Sequence, residues 1–259
     1  MHLCNRIHRE RSAGRFRDRS TPALALLAFL LLASPAAAKE LDFGAALQTW
    51  PTGTPVYQVV LDTGGFMLVS TTTHGKGPNC SVVFDSSDPT RGQEDLGTPN
   101  RDFGGPGVGR GGEEGAEGEN AFALGKILVA AGDEDEDNGD DDDGDDEDAV
   151  VEPRAALKGG IVTLEFSHAG RLRLTIIDVD CNEDEPRIYL FHEKDYLGRV
   201  EAEDLGDNSV QTLDLSEHGD IDRVKIHMNG TTGIASIVLD VPTVGVESAT
   251  WSGVKELFR

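Results

Sequence analysis

The sequence lacks the long apolar runs of membrane proteins and carries little positive charge. Its longest apolar run, 23–33, is short for a membrane span, since a spanning helix needs about 20 apolar residues. Only 23 residues are Lys or Arg, against 47 Asp and Glu, so the net charge is −24. Nucleic acid and anionic membranes would repel such a chain. We therefore predict no nucleic-acid partner and no integral membrane segment in the mature chain.

Recognisable catalytic motifs are also missing. The sequence has no Gly-x-Ser-x-Gly elbow, no His-Glu-x-x-His motif and no phosphate-binding glycine loop. Its later histidines occur singly, which is typical of surface or edge-strand residues. We therefore predict a non-catalytic protein. The alternative is a secreted hydrolase that uses a metal ion or a carboxylate pair for general acid–base catalysis.

The N-terminus contains the pattern of a signal peptide. Six arginines precede the apolar run 23–33, and small residues follow it at 34–38. We expect cleavage after Ala38, and hence a secreted or cell-surface protein. Residues 1–38 hold six basic and two acidic residues, so their removal changes the net charge from −24 to −28.

Short β-type runs separated by Gly, Asp, Asn and Pro fill the chain from residue 56 onward. In the segments 162–166, 172–176 and 224–228 apolar residues alternate with polar ones, which is typical of half-buried strands. About ten such runs predict an all-β fold, an antiparallel two-sheet sandwich of the jelly-roll kind, over residues 39–241. Residues 242–259 are interpreted as a linker and a short C-terminal tail.

Two segments are expected to stay outside this sandwich. The segment 104–118 is rich in glycine, and 133–148 contains 13 acidic residues. Neither offers enough apolar surface to offset its ordering entropy. We predict a flexible glycine-rich loop and a disordered acidic loop. The acidic loop does not fit the spacing of an EF-hand in either glycine register.

Short carboxylate side chains follow several of the predicted strands. Because Ca²⁺ takes six to eight oxygen ligands, strand ends that converge on one rim could build a calcium site. The same residue types also form tight turns by bonding their own backbone, so an ordinary connection is the competing interpretation. The candidate metal ligands are Asp85, Asp88, Asp95, Asp178, Asp180, Asp207 and Asn208.

The mature chain keeps two cysteines, Cys80 and Cys181. An exported protein with two cysteines can form one disulfide, which here would close a loop of about 100 residues and stabilise the fold by roughly 4 to 5 kcal/mol in the chain-entropy model. The alternative is a pair of buried, unpaired thiols.

Several segments, taken in order, resemble an uncharacterised jelly-roll-like domain of bacterial secreted and cell-surface proteins. The segments are 41–43, 83–90, 95–99, 125–129, 159–160, 177–180, 206–212 and 233–236. The resemblance implies a secreted β-sandwich similar to carbohydrate-binding modules, without established catalysis. The tail 249–259 is similar to short Trp-Gly-x-x-Lys-x-Leu-aromatic-Arg tails of exported bacterial proteins, where sorting signals lie. A short amphipathic helix that docks on its own domain is the alternative.

These observations favour a secreted, calcium-stabilised binding or adhesion domain that contacts a glycan or another cell-surface component. Aromatic rings for stacking on sugars are few, and the candidates are Trp50, Tyr57, Tyr189 and Tyr196. A structural envelope protein whose acidic loops bind divalent ions loosely is a further alternative.

Overall fold

A computed structural model describes residues 39–61, 65–75, 77–132, 154–179 and 186–242. It contains twelve strands: β1 (Lys39–Asp42), β2 (Pro55–Val56), β3 (Gln58–Val60), β4 (Phe66–Thr73), β5 (Ser81–Asp85), β6 (Lys126–Ala130), β7 (Gly160–Val179), β8 (Arg187–His192), β9 (Asp195–Glu201), β10 (Gly206–Asp214), β11 (Ile221–Met228) and β12 (Gly233–Val241). The helix α1 spans Phe43–Leu47, and 3₁₀ turns lie at Glu94–Leu96, Arg101–Phe103 and Ser216–His218. All the strand pairs are antiparallel. The predicted all-β fold is confirmed.

The strands form two sheets that are continuous through the 20-residue strand β7. Sheet 1 has the order β2, β5, β6, β12, the second half of β7, and β10, with β1 also on β12. Sheet 2 has the order β3, β4, the first half of β7, β11, β8 and β9. The change occurs at Gly170, which pairs with β11, while the next residue, Arg171, pairs with β12. A Cβ at Gly170 would lie 2.6 Å from the Asp240 carbonyl oxygen, so glycine permits this close approach.

The main hydrophobic core lies between the two sheets. Strand β7 alternates buried and more exposed residues, and it contributes Val162 and Leu164 from sheet 2 and Leu174 and Ile176 from sheet 1. This period of two places one set of side chains in the core and leaves the other set on the opposite face.

The opposite face of sheet 1 is covered as well. Phe84, Ile127 and Ile177 point away from the main core and pack with Leu96 in a second, smaller cluster. Leu96 belongs to the long connection between β5 and β6, residues 86–125, which lies over this face. Burial on both faces explains why β5 and β6 are almost continuously apolar.

The glycine-rich segment is placed differently from the prediction. Residues 104–118 are part of the connection over sheet 1, and Gly107, Gly111, Gly112 and Gly118 are buried. High glycine content is compatible with a flexible loop, but here the absence of side chains lets this backbone pack closely. The acidic segment 133–148 lies outside the described residues.

No helix in the described part of the chain is long and apolar enough to cross a membrane. The predicted signal peptide, residues 1–38, and residues 243–259 of the predicted tail are not among the described residues.

Candidate carboxylate site

Asp178 lies next to the C-terminal end of β7, at the covered face of sheet 1. Its backbone has φ of 64°, a left-handed conformation that Asp tolerates better than most side chains. Only 4% of Asp178 is exposed. Asp178 Oδ1 accepts a hydrogen bond from the Asn208 backbone N–H at 2.8 Å, and its carbonyl oxygen accepts one from Thr232 Oγ1 at 3.0 Å. Strand β10 therefore holds the carboxyl group, and the turn before β12 holds the backbone of Asp178.

Asp95 reaches the same point from the connection 86–125. It lies in the 3₁₀ turn Glu94–Leu96, where Oδ1 accepts a hydrogen bond from the Leu96 N–H at 3.0 Å. Thr231 stands between the two acids: its Oγ1 lies 2.6 Å from Asp178 Oδ2 and 3.0 Å from Asp95 Oδ2. A hydroxyl has a single hydrogen to donate, so Thr231 cannot satisfy both carboxylates at once. The carboxylate that does not accept the Thr231 hydrogen needs another partner, such as a proton or a cation.

The surroundings raise the pKa of both carboxyl groups. Burial, together with the nearby Asp95 charge, raises the pKa of Asp178 to about 7, although the hydrogen bonds from Thr231 and Asn208 act in the opposite direction. Burial also raises the pKa of Asp95, and the two side chains share a hydrogen bond. Within the described ranges, no Lys, Arg or His forms an ion pair with either acid. The pair therefore retains a proton near neutral pH unless a cation replaces it.

Asn208 joins the connection 86–125 to strand β10 beneath this pair. Its Nδ2 donates hydrogen bonds to the carbonyl oxygens of Asp95 at 2.6 Å and Gly97 at 2.7 Å. Its Oδ1 accepts from the Nδ2 groups of Asn100 at 2.8 Å and Asn120 at 3.1 Å. Asn208 is fully buried and has φ of 61°. With four side-chain hydrogen bonds formed, its amide serves as a structural hub.

The glycine-rich segment closes around this hub. A Cβ at Gly107 would lie 2.3 Å from the Gly97 carbonyl oxygen and 2.8 Å from Asn208 Oδ1. A Cβ at Gly112 would lie 2.4 Å from the Asn208 carbonyl oxygen. Side-chain atoms at these distances would clash with backbone, so the glycines are what bring the connection close enough to position Asp95.

The structure brings together only part of the predicted ligand set. Asp95, Asp178 and Asn208 meet, whereas Asp85 Oδ1 accepts hydrogen bonds from the Ser87 N–H at 3.0 Å and Oγ at 2.5 Å, as in an ordinary turn. The side chains of Asp88 and Asp207 are exposed. Asp180 lies outside the described residues.

A calcium ion would find few ligands here. The described part of the chain contains no group of three or more His, Cys, Asp or Glu side chains placed to hold a metal. Asp95, Asp178 and the Thr231 hydroxyl can offer oxygens, while Asn208 Oδ1 already accepts two amide donors. Because Ca²⁺ takes six to eight oxygens, these residues fit an ion that keeps several waters, and therefore a weak site.

Sequence reasoning missed Thr231, Asn100 and Asn120. Thr231 follows an Asn-Gly pair in the turn between β11 and β12, and nothing in a Thr-Thr sequence marks a carboxylate partner. Asn100 and Asn120 lie at the two ends of the glycine-rich segment, but this pairing becomes visible only when the segment is folded.

The described residues include only one of the two cysteines of the predicted disulfide. Cys80 is buried in the smaller cluster, and burial raises the pKa of its thiol. Cys181 lies outside the described residues, so its bond to Cys80 stays a prediction.

A scan against protein-family models found no match to the chain, and a search of the curated proteins found no similar sequence.

Proposed function

We propose that the mature chain is a secreted, non-catalytic binding or adhesion domain whose fold is stabilised by calcium at Asp95 and Asp178. The observation that carries the calcium proposal is the pair of buried carboxyl groups that share the Thr231 hydroxyl and have no basic partner in the described residues. Such a pair needs a proton or a cation. In an extracellular fluid that contains millimolar calcium, the hard oxygen donors favour the cation.

The expected calcium effect is modest. Extracellular modules bind calcium with dissociation constants of about 10⁻⁴ to 10⁻³ M, so millimolar calcium stabilises a one-site protein by about 0.4 to 1.4 kcal/mol. We expect the melting temperature of the mature protein to rise accordingly on adding calcium chloride after treatment with a chelator. Magnesium should also raise it, because Mg²⁺ keeps several waters and binds through one or two carboxylates.

Two double variants test where the ion binds. Asp95→Asn combined with Asp178→Asn should abolish the calcium-dependent rise in melting temperature. Asp85→Asn combined with Asp88→Asn removes the same charge from the predicted ligands that lie apart, and it should keep the rise. If the second variant loses the rise and the first retains it, the proposed site is wrong.

A hydrolase is the second candidate, and the raised pKa of Asp178 supports it. A carboxyl group that titrates at about 7 is suited to general acid–base catalysis near neutral pH. Both acids, however, approach the same Thr231 hydroxyl, at 2.6 and 3.0 Å, so their facing oxygens lie at or below the short end of the separations of about 5 to 9.5 Å that glycosidases use. The remaining possibility is a carboxyl pair that activates water. Release of reducing ends or peptides by wild type, but not by Asp178→Asn, would favour this candidate over the binding domain.

A further inference from the structure

The outer face of sheet 2 carries aromatic and basic side chains that the core does not use. Along β8, Ile188 and Leu190 are fully buried, so Tyr189 and Phe191 point to the opposite side. The same alternation places other side chains of β9 and β11 on this face. We define the aromatic–basic face as Tyr189, Phe191, Tyr196, Arg199, Arg223 and Lys225.

Strand register brings these six side chains into two rows. Arg223 pairs with Phe191, which pairs with Tyr196 on β9. In the second row, two residues further along β8 and β11, Lys225 pairs with Tyr189, which pairs with Arg199. Each row thus crosses three neighbouring strands and combines aromatic rings with positive charge.

Ring contacts hold both rows in place. In the first row, the guanidinium carbon of Arg223 lies 4.6 Å from the centroid of the Phe191 ring, within the range of a cation–π contact, and the Phe191 and Tyr196 ring centroids are 5.6 Å apart. In the second row, the ring centroids of Tyr189 and its neighbour His227 are 4.7 Å apart. The Nε of Arg223 is buried without a hydrogen-bond partner among the described residues. The Tyr196 side chain remains open to solvent, with 57% exposure.

The outer face of sheet 2 around the aromatic–basic face carries more positive than negative charge, on a strongly negative protein. The outward side chains of β7, β8, β9 and β11 include four basic residues and two acidic ones: Arg187, Arg199, Arg223, Lys225, Glu165 and Glu201. Glu201 is already engaged by Arg199 at 2.8 Å. The pKa of His227 is lowered, first by burial and then by His74, Lys225 and Arg187, as expected in positive surroundings.

We propose that the aromatic–basic face binds a polysaccharide that bears carboxylate groups. The inference rests on the proposed binding function and names its ligand class. Aromatic rings on a sheet surface offer flat apolar platforms for sugar rings. Arg223 and Lys225 add donors for carboxylates beside those platforms. Nucleic acid carries a far denser line of charge, which the net charge of −24 would repel.

The test is affinity electrophoresis of the mature protein through gels that contain three polyuronates: polygalacturonate, alginate and hyaluronan. Methyl-esterified polygalacturonate is the matched control, because it keeps the sugar backbone and loses the charge. A chelator is present throughout, so that calcium neither gels the polymers nor occupies the carboxylate site. We expect retardation by at least one polyuronate, weaker retardation at high ionic strength, and none by the ester.

Variants locate the binding surface. Arg223→Gln with Lys225→Gln should weaken binding about tenfold or more, because two charge-assisted contacts are lost. Arg91→Gln with Arg110→Gln removes the same charge from exposed positions in the connection over sheet 1 and should leave binding unchanged. Tyr189→Ala with Tyr196→Ala should also weaken binding, whereas Tyr57→Ala, at another exposed tyrosine, should not. If the variant Tyr189→Ala with Tyr196→Ala does not fold, the affinity of Arg223→Gln with Lys225→Gln tests the proposal.

Three results would overturn the proposal: equal binding of ester and polyuronate, no loss of affinity in Arg223→Gln with Lys225→Gln, or binding to no polyuronate. Tighter binding of a thymidine oligonucleotide would also overturn it and would identify nucleic acid as the partner. The calcium response, measured on the same proteins without polymer, separates a failure of this inference from a failure of the proposed calcium site.

Discussion

At the scale of single residues, the raised pKa of Asp178 predicts how stability changes with pH. In the folded protein the pKa is about 7, against a usual value of 3.8, so between these values the folded state binds more protons than the unfolded state. Stability therefore falls as the pH rises from about 4 to 7, by a few kcal/mol at most. Without calcium, Asp178→Asn should remove this loss, since the amide is neutral at every pH and can still meet Thr231 and Asn208.

The measurement is the difference in melting temperature between wild type and Asp178→Asn from pH 4 to 8 in the presence of a chelator. We expect the melting temperature of the variant to rise relative to that of wild type as the pH rises. A constant difference across this range would mean that the carboxyl group titrates normally. With calcium present, the wild-type loss should diminish, because the ion binds the deprotonated pair.

Asn208 allows its side-chain and backbone roles to be separated. Asn208→Gly keeps the left-handed backbone but removes four side-chain hydrogen bonds and leaves the Asp95 carbonyl oxygen without its amide donor, so we expect a loss of about 2 to 4 kcal/mol in the free energy of unfolding. Asn208→Ala should cost about 1 kcal/mol more, because alanine is strained at φ of 61°. Urea denaturation measures both. Equal stabilities of the two variants would show that the left-handed backbone at position 208 does not strain alanine.

At the scale of elements, the connection 86–125 is predicted to depend on glycines that touch other backbone. Gly107→Ala would place a Cβ 2.3 Å from the Gly97 carbonyl oxygen, and we expect it to cost at least about 2 kcal/mol. Gly115→Ala is the control: its φ is 83°, but no atom lies near the added Cβ, so only about 1 kcal/mol of backbone strain is expected.

Trypsin cleavage after Arg110 reports on the same connection. The next residue, Gly111, is buried and donates its N–H to the Asp207 carbonyl oxygen at 2.9 Å, so cleavage of the native protein should be slow. Gly107→Ala should accelerate it more than Gly115→Ala does. Rapid cleavage of wild type would show that the segment is not held as described.

The strands were predictable because their signal is local. The alternation of apolar and polar residues in Val224, Lys225 and Ile226 depends only on the two faces of a strand, and β11 includes all three. The connection 86–125 was not predictable, since glycine permits both flexible segments and very close packing. For the same reason Asp95 and Asp85 looked alike in sequence, although only Asp95 is brought to Asp178, through contacts with residues more than a hundred positions away.

At the scale of the whole molecule, the residues that flank the acidic segment 133–148 on its two sides are held together. Ala131 forms an isolated bridge with Ala155, and the Gly132 N–H donates to the Arg154 carbonyl oxygen at 2.9 Å. The side chain of Gln93 adds bonds to the N–H and carbonyl oxygen of Ala155, at 3.0 and 2.8 Å. These contacts among the described residues therefore hold residues 131–132 and 154–155 together.

Deletion of residues 133–148 is predicted to leave the fold intact and slightly more stable. Residues 149–153 remain to bridge the ends, and closing the shorter loop saves about 1 kcal/mol of entropy. The deletion also removes 13 acidic residues, which reduces the size of the net charge after the predicted cleavage from −28 to −15 and so reduces self-repulsion at low salt. A full-length variant with Asp→Asn and Glu→Gln throughout 133–148 separates charge from length: it should reproduce the low-salt gain but not the entropic one.

The calcium response of the same deletion decides between the two acidic parts of the molecule. If Asp95 and Asp178 hold the ion, the deleted protein keeps its calcium-dependent rise in melting temperature, because neither residue nor Thr231 belongs to the insertion. If the rise disappears in the deletion and persists in Asp95→Asn with Asp178→Asn, the acidic run binds the ion. In that case the carboxyl pair holds only its shared proton, and stability should fall between pH 4 and 7 whether or not calcium is present.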